Sequence, residues 1–251
     1  MIVNTPAHFV PAADSLRQRV ILITGSGSGL GRATALTCAS LGATVILLGR
    51  TVKKLEAVYD EIEAAGGPTP AIYPMNLIGA TWADLFELVG VIEREFGRLD
   101  GLVHCAAHFT TFAPFTEEKP KDWMDSLQVN LTAAQTLTRL CLPLLQQAPD
   151  ASIVFVTDAA GREPKALRGA YGVSKYALEG LVKSWALELE SYPKLRINTY
   201  DPGPMCTDLR KRGYLSEEVQ KLPLPEIAAP GLLYLLSSES SGRSGVSFSR
   251  S

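Results

Sequence analysis

The chain has 251 residues, 46% of them apolar, and a formal net charge of −2, which suits one large α/β core and excludes a strongly basic surface for nucleic acid. No apolar run is long enough to cross a bilayer. The first 18 residues carry Pro6 and Pro11 but neither the basic start nor the apolar stretch of a signal peptide, so a cytoplasmic location is expected.

Along the chain, an N-terminal extension over 1–18 precedes apolar runs of strand length that alternate with segments of helical period, the pattern of βαβ units around a parallel sheet. Strands are predicted at 19–24, 44–49, 70–74, 99–104, 151–157, 195–201 and 244–248, and helices at 29–41, 52–65, 80–96, 121–146, 172–191 and 227–237. In the last long helix, Val173, Leu178, Val182, Trp185 and Leu189 recur at helical spacing and predict a core or subunit-interface stripe. The stretch 202–225 is rich in Pro, Gly and charge and reads as a loop or lid. There is no internal repeat and no linker, so 19–251 is expected to be one domain. Cys38, Cys105, Cys141 and Cys206 lack metal-ligand spacing to one another or to His8, His104 and His108, which favours reduced thiols and no metal.

Two motifs carry chemistry. The first strand, Val20-Ile21-Leu22-Ile23, runs into Thr24-Gly25-Ser26-Gly27-Ser28-Gly29-Leu30-Gly31 and then into a helix. Glycines there permit a tight turn and bring backbone N–H groups close to a pyrophosphate, while the helix N-terminus favours negative charge. The second motif is Tyr171 and Lys175, four residues apart on one helix face. Free tyrosine ionises near pH ~10, and a nearby ammonium lowers that value by roughly 1–3 units. Such a tyrosine can exchange a proton near neutral pH.

Thr-Gly-x-x-x-Gly-x-Gly, the Tyr-x-x-x-Lys pair and the chain length together resemble the short-chain dehydrogenase/reductase family, over about Arg19 to Phe248. Leu99-Asp-Gly-Leu-Val-His, Gln128-Val-Asn, Gly169-Ala-Tyr-Gly-Val-Ser-Lys and Pro202-Gly are most similar to the bacterial YciK-type branch. The resemblance implies a single-domain, doubly wound parallel sheet, a Rossmann fold of about seven strands with helices on both faces. It also implies hydride transfer between a nicotinamide dinucleotide and a carbonyl or alcohol, with Tyr171 as general acid/base and Lys175 supporting it. Asn130 would bend its helix and hold a relay water. A homodimer or homotetramer through the helices at 121–146 and 172–191 is implied as well.

By the same match, the cofactor would meet Thr24, Gly25, Ser26, Ser28, Gly29, Leu30, Gly31, Asn76, Leu77, Cys105, Ala106, Ala107, Pro202, Gly203 and Thr207, besides Tyr171 and Lys175. The family's acid for the adenosine ribose is absent at the end of the second strand. Gly49 stands there and Arg50 follows, which favours NADP(H) through its 2′-phosphate, with NAD(H) still admissible. The alternative is an Arg50 that caps the strand and points to water. Arg32 is a weaker helper. His108, Phe109, Phe112, Met205 and Tyr214 would wall the substrate.

Two departures stand out. His104-Cys105-Ala106-Ala107 replaces Asn-Ala-Gly, putting a methyl group where backbone normally approaches the cofactor. Thirteen residues before Tyr171, where the family has a serine for the substrate carbonyl, this chain has Asp158. A carboxylate about 5 Å from the tyrosine would oppose the phenolate by on the order of 3 kcal/mol at an effective dielectric of ~20. Asp158 could be protonated and act as the serine would, or turn away and leave Thr157 or water to orient substrate. The third outcome is a protein that binds cofactor without turnover, a sensor or interaction subunit. A Ser or Cys hydrolase has little behind it, since there is no Gly-x-Ser-x-Gly elbow and no plausible histidine partner placed after a nucleophile.

Overall fold

The structure is a computed structural model describing residues 2–7 and 9–251; Met1 and His8 lie outside the described residues. Eight parallel strands form one sheet: β1 (Ile2–Asn4), β2 (Val20–Thr24), β3 (Thr44–Gly49), β4 (Ala71–Pro74), β5 (Gly101–His104), β6 (Ala151–Val156), β7 (Leu195–Asp201) and β8 (Ser247–Ser249). Their order is β1-β8-β7-β6-β5-β2-β3-β4. The chain leaves β2 toward β3 on one side and later returns through β5 on the other. A crevice therefore opens at the carboxyl ends of β2 and β5, where such sheets bind ligands.

Alternation along each strand feeds two cores. Val20, Leu22, Leu102 and Ile153 pack on one face with α3 (Trp82–Phe96), α5 (Ala133–Gln147) and α6 (Gly169–Glu188). Ile21, Ile23, Val103 and Val154 pack on the other with α1 (Gly29–Ser40), α2 (Val52–Ala64) and α8 (Ala229–Leu236). Both faces are thus dry, as a parallel sheet requires. Local chemistry sets the ends: Thr81 and Asp84 form a reciprocal capping box at the start of α3, and Gly97 closes it in the left-handed conformation.

The eight-stranded sheet exceeds the expected seven because β1 pairs in parallel with β8, Ile2 opposite Ser247 and Asn4 opposite Ser249. Part of the predicted extension is therefore sheet. The predicted helix 121–146 is divided into α4 (Pro120–Leu127), a π-helical turn (Gln128–Thr132) and α5. The catalytic-motif helix starts at Gly169 rather than 172, because Gly169 takes a φ of +41° and the Glu118 carboxylate accepts from the Ala170 N–H at 2.8 Å. Tyr171 consequently lies in the first turn of α6. The expected loop 202–225 holds α7 (Asp208–Gly213).

Candidate active site

A cavity of about 760 Å³ runs along the crevice and gathers most of the residues expected from the sequence. At one end lies the glycine turn. Gly25 has a φ of +70°, and a Cβ there would stand 2.9 Å from the Ala106 backbone. A Cβ on Gly31 would overlap the Gly25 carbonyl oxygen, so helix and turn can close only around glycine. Ser28, Gly29, Leu30 and Gly31 line the cavity, and α1 begins with no side-chain cap and no acidic residue in its first turn. Its first N–H groups are left for an anion.

Thr24 and Ser26 do not line this cavity. Thr24 Oγ1 accepts from the Ala106 N–H at 3.1 Å and Ser26 Oγ donates to the Leu48 carbonyl at 3.2 Å, so both hold the turn from beneath. Asn76, Leu77, Cys105, Ala106 and Ala107 do line it. Burial pushes the Cys105 thiol up to about 12, which leaves it unreactive.

At the end of β3, Arg50 is exposed on the rim with no ion-pair partner among the described residues. Arg32 is held by Glu61 through two short bonds of 2.6 and 2.7 Å, with Glu226 at 3.8 Å. Lys54, absent from the sequence expectations, also lines this rim and stands 3.9 Å from Asp208 of α7. Its position four residues beyond Arg50, in the first turn of α2, was the available signal.

At the other end, α6 delivers Tyr171 and Lys175, both buried. The Lys175 Nζ donates to the Val156 carbonyl at 2.9 Å and lies 5.5 Å from the Tyr171 ring centre. Burial lowers its pKa to about 8, against the support of Asp158 and other anions. Tyr171 shifts against the lowering expected from Lys175 and in the direction expected from Asp158. Burial first, then Asp158, raises its pKa well above the usual value.

Asn130 sits in the π-helical turn Gln128–Thr132, where the helical register between α4 and α5 changes. Its carboxamide accepts from the His108 N–H at 2.7 Å and donates to the His108 carbonyl at 2.9 Å and to Ser174 Oγ at 3.1 Å. It therefore ties the segment after β5 to α6. Pro202, Gly203 and Thr207 also line the cavity, and Thr207 Oγ1 caps α7 by accepting from the Arg210 N–H at 3.2 Å.

Asp158 follows β6 and faces the cavity while its Oδ1 accepts from the Ala160 N–H at 2.8 Å. Neighbouring Thr157 is buried with an unpartnered Oγ1 and lines the same space. Of the expected wall, His108, Phe109, Met205 and Tyr214 line the cavity, whereas Phe112 packs behind them. Phe109 covers Tyr171 at 4.8 Å between ring centres, and Phe112 meets Tyr214 edge-on at 4.7 Å. The Arg168 guanidinium lies 4.1 Å over Phe112 and 5.0 Å over Tyr214. Three segments thereby close over one tyrosine.

Residues 19–217 match the short chain dehydrogenase family. The chain is 37% identical to the uncharacterized oxidoreductase YciK of Escherichia coli (strain K12), over 96% of this chain and 95% of that one. A short chain dehydrogenase structure from Pseudomonas syringae superposes with a TM-score of 0.92 at 41% identity, covering 99% of each chain. Another, from Escherichia coli CFT073 and complexed with NADPH, gives 0.91 at 37% identity, covering 95% of this chain and 99% of that one.

Proposed function

The chain belongs to the short-chain dehydrogenases, and from that membership we propose that it transfers hydride between NADP(H) and a carbonyl or alcohol substrate beside Tyr171. The observation that carries the reading is the single cavity shared by an uncapped glycine-turn helix, an unpaired Arg50, and the Tyr171 and Lys175 pair. The residues fit a dinucleotide phosphate: Gly25 to Gly31 would hold the pyrophosphate, Arg50 with Lys54 the 2′-phosphate, and Pro202 to Thr207 the nicotinamide end. When bound, the nicotinamide supplies the hydride.

The remaining chemistry belongs to the chain. Tyr171 protonates the substrate oxygen in reduction and accepts its proton in oxidation. The Lys175 ammonium, fixed by the Val156 carbonyl and 5.5 Å from the Tyr171 ring centre, binds the ribose beside the nicotinamide and supplies positive charge near Tyr171. Asn130 positions the loop at His108, and the π-helical turn it occupies serves a proton path. Phe109, Met205 and Tyr214 exclude water from the reacting carbon.

Burial and Asp158 both oppose the Tyr171 phenolate, and this favours one alternative: a protein that binds NADP(H) without turnover. NADPH oxidation against aldehydes, ketones and diketones separates the two. Turnover abolished by Tyr171→Phe supports the enzyme. Activity that arises only in Asp158→Ser supports the binder.

No described helix is long and apolar enough to cross a membrane, and we infer a cytoplasmic homodimer or homotetramer. The exposed Trp123 and Met124 of α4 and Val173, Tyr176 and Leu187 of α6 support assembly through these helices.

A further inference from the structure

Carboxylates stand at the reacting end of the cavity, where a developing alkoxide needs positive charge. Asp158 and Asp201 both line the space beside Tyr171. No ion pair reaches Asp158 among the described residues, and the only described hydrogen bond to its carboxylate is the one Oδ1 accepts from the Ala160 N–H. Asp201 is 3.9 Å from Arg162, but that guanidinium is bound to Glu179 at 2.9 Å. Burial, with Asp158 assisting, raises the Asp201 pKa. Of the cations nearby, Arg210 is paired with Glu217 at 2.6 Å, Arg168 lies over Phe112 and Tyr214, and Arg212, also on the cavity lining, donates to the Asp208 carbonyl at 3.3 Å. Among the described residues Lys175 is the buried cation of the cavity wall beside Tyr171, and Val156 fixes it.

A carbonyl oxygen gathers negative charge as hydride arrives, so this field opposes it. A protonated imine instead carries positive charge that is lost as hydride arrives, and a carboxylate beside it helps to recruit and orient it. Resting on the oxidoreductase reading above, we propose that the site takes a protonated imine, with Asp158 as the counter-ion of its nitrogen, in preference to a ketone of the same shape. In the reduction, a C–H bond forms at the imine carbon with the hydride of the reduced nicotinamide, and the C=N π pair moves onto nitrogen. The nitrogen keeps the proton it entered with, so the products are a neutral amine and the oxidised nicotinamide. No proton is required of Tyr171 in this step, which agrees with the buried, undissociated state that its surroundings favour.

The test pairs imines with ketones of matched shape: dihydroisoquinoline with tetralone, and methylpyrroline with methylcyclopentanone. NADPH oxidation is measured for the unaltered protein, Asp158→Asn, Asp158→Glu and Tyr171→Phe. Calorimetry separately measures binding of protonated methylpyrrolidine and of neutral methylcyclopentanol without cofactor. The expected result is an imine-to-ketone ratio of kcat/KM on the order of a hundredfold, the size of one unit charge at close range in a cleft. That ratio collapses in Asp158→Asn and recovers in part in Asp158→Glu. Ammonium binding weakens about tenfold in Asp158→Asn while alcohol binding is unchanged. Ketone reduction at or above imine reduction, a ratio unmoved by Asp158→Asn, or ammonium binding unmoved by it overturns the imine proposal alone. Failure of both substrate classes in protein that still binds NADPH overturns the oxidoreductase reading with it. Thermal melts and NADPH binding establish that each variant is folded.

Discussion

Lys175 gives its hydrogen bond to Val156, at 2.9 Å, rather than to any group of Tyr171, so the buried ammonium is held by the last residue of β6. The cation is fixed in place before substrate arrives. Its position is set by the sheet, while the tyrosine is set by the helix turn and by Phe109.

This arrangement has opposite effects on stability and activity. The Lys175 pKa falls from 10.5 to about 8 on folding, chiefly through burial. Between those values the unfolded chain holds a proton that the native protein has lost, so the group's contribution to stability rises with pH across that window. Below pH 8 the buried charge costs ~3 kcal/mol, from ~1.4 kcal/mol per unit. Lys175→Met should therefore melt higher than the unaltered protein at pH 7. It should lose carbonyl reduction, and in the unaltered protein that activity should decline above pH about 8. A Lys175→Met protein that melts lower at pH 7 would contradict this account.

Tyr171→Phe keeps the ring against Phe109 and removes only the hydroxyl. Carbonyl reduction should drop by on the order of a hundredfold or more, the usual size of a positioned acid. NADPH affinity, read by fluorescence titration, should stay within about twofold because ring packing is unchanged.

Arg50 is a rim cation without an ion-pair partner among the described residues, and Lys54 is held only loosely by Asp208. Arg50→Ala should weaken NADPH binding by about tenfold to a hundredfold, or ~1.4 to 3 kcal/mol. NADH binding should be unaffected. Lys54→Ala should show a smaller loss with the same selectivity, and equal losses for both dinucleotides would place these residues away from the 2′-phosphate.

Beneath the site, Arg162 joins three elements. It donates to Glu179 of α6 at 2.9 Å, to Ser249 Oγ at 2.6 Å and to the Phe248 carbonyl at 2.8 Å, while Glu179 also accepts from Thr199 and Ser247. Arg162→Met leaves Glu179 buried without its cation, a change worth about 3–5 kcal/mol. Urea denaturation should show the unfolding free energy fall by that amount, read as a lower midpoint with little change in slope.

Much of the fold was legible because parallel strands buried on both faces announce themselves as apolar runs, as Val20 to Ile23 and Val45 to Leu48 do. β1 was not legible. Ile2-Val3-Asn4 is too short to carry a period, and its partner is distant in sequence. The site was legible where a motif combines with backbone constraint, as at Gly25, Gly31, Tyr171 and Lys175. Thr24 and Ser26 shared the motif yet turned inward, because a sequence pattern does not say which side of a turn a hydroxyl takes. Glu118, which caps α6, had no local signal. Its relation to Ala170 exists only once the chain has folded. The direction of the Tyr171 shift was legible only in part, since Asp158 stands in the sequence but the burial that contributes most arises only in the fold.

The pairing of Ile2–Asn4 with Ser247–Ser249 makes the strand at the start of the chain wait for nearly all the rest. During synthesis those first residues emerge without a partner, and none exists until residue 249 has cleared the ribosome. Ser247 and Ser249 then bring the hydroxyls that complete the Arg162 and Glu179 cluster, and Arg250 reaches the Pro202 carbonyl at 2.6 Å. The Pro202 end of the cavity is therefore braced only after residues 247–250 have been made. A nascent chain can assemble the glycine turn early, but the far end of the cavity takes its brace from a segment more than two hundred residues later.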